Sequence, residues 1–352
     1  RRPPRSTLFP YPTLFRSVGK PGKRSGSAMN DTPLVLEVRD LVVHFSMKGK
    51  RPFAPLSYIH AVDGVSFQLQ KGKTLGLVGE SGSGKSTTAL AVTRLVPANS
   101  GSVKVKGKEF LELRGEALRN HRNHLQFIFQ DPYSALNPRW RAGKIVGEAL
   151  DWLNVGTKTE RKNRVSELFG LVGLSVEQEH LFPHQFSGGQ RQRLGIARAL
   201  ATHPDLIICD EPVSALDVAV QAQILNLLRR LQQEMGLSYL FISHDLGVVQ
   251  HMCDEIAVMY AGHIVEHTDR ISLLRNLLHP YTKCLLASVP SADPNHPRDR
   301  KLGIYGEPPS PVDPPPGCRF ASRCHLAEER CKIENPVLRK IETGHRVACH
   351  LV

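Results

Sequence analysis

No run of apolar residues in this 352-residue chain approaches the ~18 needed to cross a bilayer as a helix, so a membrane span is excluded. Cysteine is scarce, seven in all, which excludes a secreted disulfide scaffold. Acidic residues are short: 33 Asp and Glu face 46 Lys and Arg, for a formal net charge of +13. That figure suggests nucleic acid until it is located. Residues 1–28 hold seven basic side chains and no acidic one, and setting them aside leaves +6 over the other 324 residues. Such a mildly basic surface is a poor nucleic-acid footprint, and none is expected as a partner. An N-K-x-D guanine motif is missing too, which argues against a GTPase. What remains, 41% hydrophobic and 22% charged, is an ordinary globular balance, with enough chain to bury a core unaided.

The first 28 residues differ from the rest. They carry a near-repeat, TLFPYP then TLFRS, with no period and no signal-peptide layout. They read as a non-native leader or a disordered basic tail, with Met29 as the expected start. Beyond them, Leu34–Phe45 reads as one or two strands and Tyr58–Leu69 as another, with a polar insert between them. Thr74–Val78, Leu206–Cys209 and Tyr239–Ile242 are short and apolar on both faces, as buried parallel strands are. Helices are expected over Thr87–Val96, over 220–235 and through 131–200, where apolar residues recur at helical spacing. Ile256–Tyr260 and His263–Glu266 suggest a hairpin. Strands alternating with helices indicate an α/β fold. Residues 290–316, with nine prolines in 27 positions, have linker composition, and 317–352 form a small segment with four cysteines.

Gly79-Glu80-Ser81-Gly82-Ser83-Gly84-Lys85-Ser86-Thr87 fits the phosphate-loop pattern, between a strand and a helix as that motif requires. Its glycines let backbone N–H groups face phosphate oxygens, and the helix N-terminus adds positive potential. Lys85 is expected to neutralise the β/γ-phosphates of ATP and Ser86 to ligate Mg²⁺. The strand Leu206–Cys209 delivers two acids at its end. Asp210 is the candidate Mg²⁺ ligand and Glu211 the candidate general base. His244 ends the next buried strand, within reach of a γ-phosphate.

Phe186-Ser187-Gly188-Gly189-Gln190-Arg191-Gln192-Arg193 resembles the signature motif of ABC ATPases. The fold implied is a P-loop NTPase core with an antiparallel β subdomain, a helical subdomain and a small Cys-containing C-terminal appendage. The layout is an ATPase domain over 29–289 with the helical subdomain near 131–200, a linker over 290–316 and the appendage over 317–352. By the same resemblance, Ser187, Gly188, Gly189 and Gln190 serve ATP held by an opposing subunit. Gln130 contacts Mg²⁺ and senses the γ-phosphate, acting with Glu211 and His244, and the loop at Asp217 crosses to the partner. Tyr58 is the candidate to stack on adenine, with Phe45 and Phe53 flanking the same insert.

Three stretches resemble the ATPase subunits of bacterial dipeptide/oligopeptide importers: Gln130–Pro138, Glu211–Val218 and the C-terminal His279-Pro280-Tyr281-Thr282. That resemblance implies a peripheral subunit on the cytoplasmic face of the inner membrane. It would dock on membrane permease subunits through 131–200 and pair with a second ATPase subunit, as a heterodimer, while an external binding protein delivers cargo. Relatives that carry nickel, glutathione or peptide-like antibiotics are the alternative. A soluble ABC ATPase of the DNA-repair or translation type is disfavoured, because a single cassette has only about 100 residues between Lys85 and Ser187. Clustered thiols at Cys318, Cys324, Cys331 and Cys349 suggest one metal centre. Their spacing matches neither common zinc knuckles nor ferredoxins. The family resemblance favours a [4Fe–4S] cluster, with Zn²⁺ as the alternative, and a metal-sensing role for the segment is a further reading. Cys209, Cys253 and Cys284 are expected to be ordinary buried thiols.

Overall fold

The computed structural model describes residues 33–47, 57–287 and 306–352. The leader, the middle of the polar insert and most of the proline-rich linker lie outside the described residues.

Two sheets form the body. β1 (Leu34–Met47) and β2 (Ser57–Gln70) pair antiparallel, each 14 residues long. The pairing slips between Val38 and Leu41, where Asp40 takes φ +47°, which is why β1 reads in sequence as one strand or two. β3 (Thr74–Val78) coincides with the expected buried strand and leads into α1 (Lys85–Val92). That helix starts two residues earlier and ends four residues earlier than its expected range. The amides of Leu95 and Val96 fold back to the Leu90 carbonyl past Arg94 at φ +56°, which terminates it. β4 (Ser100–Val105) and β5 (Lys108–Glu109) complete a four-stranded antiparallel sheet ordered β2-β1-β4-β5.

α2 (Gly115–His121) and β6 (Leu125–Ile128) follow. The helical region is α3 (Ala142–Trp152), α4 (Lys158–Leu171) and α5 (Gly188–Leu200). Thr157–Glu160 and Ser187–Gln190 each close a capping box at the start of α4 and α5. β7 (Leu206–Asp210), α6 (Val218–Met235), β8 (Ser238–Ser243) and α7 (Leu246–Met252) continue the alternation. α6 buries Ile224, Leu227, Leu228 and Leu231 on one stripe and stops at Gly236, at φ +66°. β9 (Glu255–Tyr260) and β10 (His263–Asp269) make the expected hairpin, followed by α8 (Arg270–Arg275), α9 (Pro280–Ala287) and α10 (Glu329–Ile333). β11 (Arg339–Glu342) and β12 (His345–Val347) end the chain.

The second sheet runs β11-β12-β10-β9-β3-β8-β7-β6. From β9 to β6 its strands are parallel, so their C-terminal ends share one edge. Both faces are covered. In β7, Leu206 and Ile208 enter the layer between the two sheets, while Ile207 and Cys209 enter the layer under α5 and α6. The four-cysteine segment is not set apart from this body. β12 pairs antiparallel with β10, and Phe320, 2% exposed, packs on the rings of Tyr260 and Tyr281.

Candidate active site

Ligands in open parallel sheets gather at the carboxyl ends of the strands, and this edge holds the candidate residues. The phosphate loop leaves β3 and wraps toward α1. Gly84 caps that helix at φ +100°, and a Cβ there would lie 2.2 Å from the Ala61 carbonyl oxygen. A Cβ on Gly79 would meet the Met259 carbonyl oxygen at 2.1 Å. Lys85 is buried and donates from Nζ to the carbonyls of Gly79 at 2.8 Å and Glu80 at 2.7 Å, and to Ser83 Oγ at 3.3 Å. Burial lowers its pKa, against the opposing pull of Glu211, Asp210 and Glu80.

Ser86 Oγ donates to Asp210 Oδ1 at 3.0 Å, bringing α1 to the end of β7. Burial and the neighbouring Glu211 raise the Asp210 pKa, while Ser86 and Lys85 oppose the rise. These hard oxygen donors beside an ammonium fit an Mg²⁺–phosphate group. Glu211 sits at φ +46°, a strained setting for a non-glycine residue, with its N–H bonded to the Ile242 carbonyl. Its carboxylate is held from two sides. Gln130 Nε2, just past β6, donates to Oε2 at 2.9 Å, and His244 Nδ1, just past β8, lies 3.0 Å from Oε1. Three residues expected to act together, from three strand ends, therefore meet.

A cavity of about 390 Å³ opens over this edge, lined by residues 80–87 together with Gln130 and Glu211. Ile59, His60 and Ala61 form part of its wall, as do Pro308, Pro309 and Pro311, but Tyr58 does not line it. The proline stretch reaches the wall by bridging to β2. The His60 N–H donates to the Pro311 carbonyl at 2.8 Å, and Ile59 pairs with Val312. Linker composition therefore does not keep these prolines away from the site.

Comparison with known proteins agrees with this geometry. Residues 62–214 match the family model described as "ABC transporter", and residues 265–331 match "Oligopeptide/dipeptide transporter, C-terminal region". The oligopeptide transport ATP-binding protein AppF of Bacillus subtilis is 46% identical over 90% of this chain and 97% of its own length. OppF of Salmonella typhimurium, described in the same words, is 48% identical over 90% and 96%. The chain belongs to the ABC transporter ATP-binding family. Among solved structures, a dimeric ATP-binding cassette in a post-hydrolysis state with ADP and Pi is 28% identical. It covers 67% of this chain and 98% of its own, with a TM-score of 0.59. This ABC protein is an ATP-binding and ATP-hydrolysing subunit, and its family expectation from the signature residues stands.

The signature residues of this ABC ATPase lie apart from the cavity wall. Ser187 caps α5, accepting from the Gln190 N–H at 3.3 Å, while Gln190 Oε1 accepts from the Ser187 N–H at 2.9 Å. Asp217 caps α6 by accepting from the Val220 N–H at 2.9 Å. A Cβ on Gly189 would meet Val220 Cγ1 at 2.6 Å, too close to fit, whereas one on Gly188 would make an ordinary contact with Leu216 at 3.4 Å.

The iron–sulfur expectation is corrected. The curated relatives are described as oligopeptide transport ATP-binding proteins, in words that name no iron–sulfur cluster. The geometry supplies the physical reason. Cys318, Cys324, Cys331 and Cys349 line one cavity of only about 20 Å³. Burial pushes Cys318 up to about 11 and raises Cys324 and Cys349 as well, which favours thiols over the thiolates a metal needs. Tetrahedral zinc requires sulfurs about 3.8 Å apart. Among the described residues, no three of these sulfurs lie within 4.8 Å of one another. Phe320 and β12 anchor the segment in the main core, so it is held in place by packing and strand pairing. Cys209, Cys253 and Cys284 are buried thiols, as expected.

Proposed function

We propose that this chain hydrolyses ATP to power import of dipeptides or oligopeptides across a bacterial cytoplasmic membrane. The observation that carries the chemistry is the Glu211 carboxylate, fixed between Gln130 and His244 beside the phosphate loop. The peptide cargo rests on the relatives' descriptions and on the match over 265–331.

In this reading the amides of Gly79–Thr87 and the Lys85 ammonium bind the triphosphate. Ser86, Asp210 and Gln130 would hold Mg²⁺, which would supply charge neutralisation to the β/γ-phosphates. Glu211 would take a proton from the attacking water, and His244, with Nδ1 3.0 Å from the same carboxylate, would orient it. Ile59, His60 and the prolines would enclose the base end, and Tyr58 lies outside that wall.

Ser187–Gln190 and Asp217 would complete the site of a second ATPase subunit placed head to tail, and that subunit's signature would complete this one. Their location away from this chain's own cavity supports the arrangement. The permease would dock on the helical region after β6. A groove of about 410 Å³ there is lined by Phe127, Phe129 and Trp152, and Trp152 is 74% exposed. No helix among the described residues is long and apolar enough to cross a membrane, which suits a peripheral subunit on the cytoplasmic face. A distinct ATPase chain as partner and an external binding protein as cargo carrier complete the reading.

The test is uptake of labelled di- and oligopeptides by a strain with and without this chain. Uptake that depends on the chain, and is lost with Glu211→Gln, is expected. Unchanged peptide uptake in its absence overturns the cargo assignment.

A further inference from the structure

The phosphate loop carries a negative charge where its chemistry needs positive potential. Glu80 lies inside the loop, and its charge acts on Lys85. A carboxylate so placed opposes the arrival of a triphosphate. It is met by Arg323, 243 residues further along the chain. Arg323 Nη1 donates to Glu80 Oε2 at 2.8 Å and Nη2 donates to Oε1 at 3.2 Å, the two-pronged geometry of a strong guanidinium–carboxylate pair.

The pair is set in a rigid frame. The Arg323 side chain is 6% exposed and Glu80 26%. Arg323 Nη1 also donates to Tyr260 Oη at 3.2 Å, and its guanidinium lies 5.8 Å from the centre of that ring. The Glu80 N–H donates to Tyr281 Oη at 2.8 Å, and the Glu80 carbonyl accepts from Lys85. Phe320, three residues before Arg323, packs against both tyrosine rings. The same C-terminal stretch supplies Pro308, Pro309 and Pro311 to the cavity wall.

We propose that Arg323 is a positioning residue for ATP binding, holding Glu80 neutralised and in place so that the phosphate loop presents net positive charge. The C-terminal segment is then part of the chain's own ATP site rather than an attachment to it. This rests on the functional reading above.

The experiment uses Mg²⁺ and ATP as the probe, and follows ATP affinity in the purified full chain and KM and kcat in the assembled transport complex. Arg323→Ala should weaken ATP binding and raise KM roughly tenfold, the scale of one charge-assisted interaction, while kcat at saturating ATP changes little. Arg323→Lys, which keeps the charge without the fork, should lose only about threefold. Adding Glu80→Gln to Arg323→Ala should restore most of the affinity, because the uncompensated charge is gone. A merely structural role predicts instead that the double variant is no better than Arg323→Ala and that kcat falls with stability. That result, or an unchanged KM in Arg323→Ala and Arg323→Lys, overturns the proposal. A wild-type chain that binds no ATP overturns the functional reading itself.

Discussion

At the residue scale the site depends on a few side chains with separable duties. As the proposed general base, Glu211 would act on water rather than on nucleotide, so Glu211→Gln should retain ATP binding while hydrolysis falls by about 10²–10⁴-fold, the usual loss with a general base. Single-turnover hydrolysis beside equilibrium nucleotide binding measures both; full-rate turnover would remove Glu211 from the role. The glutamine keeps the hydrogen-bonding shape between Gln130 and His244 but cannot accept the proton. Lys85 works on affinity instead. Its ammonium is already buried and desolvated in the loop, so Lys85→Ala should weaken ATP by roughly 1.5–3 kcal/mol, one to two decades. Titration calorimetry with ATP checks this, and an unaltered affinity would contradict it.

At the element scale, one carboxylate ties the antiparallel sheet to the C-terminal segment. Asp63 on β2 accepts from Arg319, contacts His44 across the β1–β2 pair, and lies 3.1 Å from His60 Nδ1. Burial works against its charge, but the hydrogen bonds from His44 and Arg319 outweigh burial and hold its pKa near 2. A carboxylate whose pKa is depressed by folding adds stability above its unfolded value. That stability is lost as pH falls from about 4 toward about 2. Asp63→Asn should therefore cost about 1–2 kcal/mol near neutral pH, with a smaller difference from wild type at pH 2. Denaturant unfolding at several pH values reads this out. An equal deficit at pH 2 and pH 7 would mean that packing rather than charge is involved.

At the scale of the whole molecule, the proposed head-to-tail arrangement has one chain present two different faces of an ATP site. The phosphate loop and Glu211 share the cavity, while the N-terminus of α5, with Ser187 and Gly188, lies elsewhere on the surface. Gly188→Asp adds a carboxylate where only a contact with Leu216 at 3.4 Å limits the space, so the fold should tolerate it. Placed against another subunit's phosphates, that charge should abolish most ATPase turnover of the assembled complex. ATP binding to the isolated chain should stay within about twofold, since like-charge repulsion needs the partner's nucleotide. Normal turnover in the assembled complex would contradict the head-to-tail arrangement.

The sequence by itself determined the phosphate loop, the acid pair at the end of β7, the histidine past β8 and the signature helix. Each is a local feature: a glycine pattern, an apolar strand ending in charge, a short signature run. The buried strands β3, β7 and β8 were legible for the same reason, since both faces had to be apolar. Tertiary structure decided what depends on distant partners. β6, only four residues long, is a strand because β7 lies beside it. The prolines at 308–311 look like a linker, yet they wall the nucleotide cavity by pairing with β2. The cysteines looked like a metal framework because their number and clustering were visible while their sulfur–sulfur distances were not. Arg323 has no motif at all; it faces Glu80 only because Phe320 is buried among Tyr260 and Tyr281. Local chemistry is written in neighbouring residues, whereas the charge balance of the phosphate loop is set by a contact that exists only once the chain has folded.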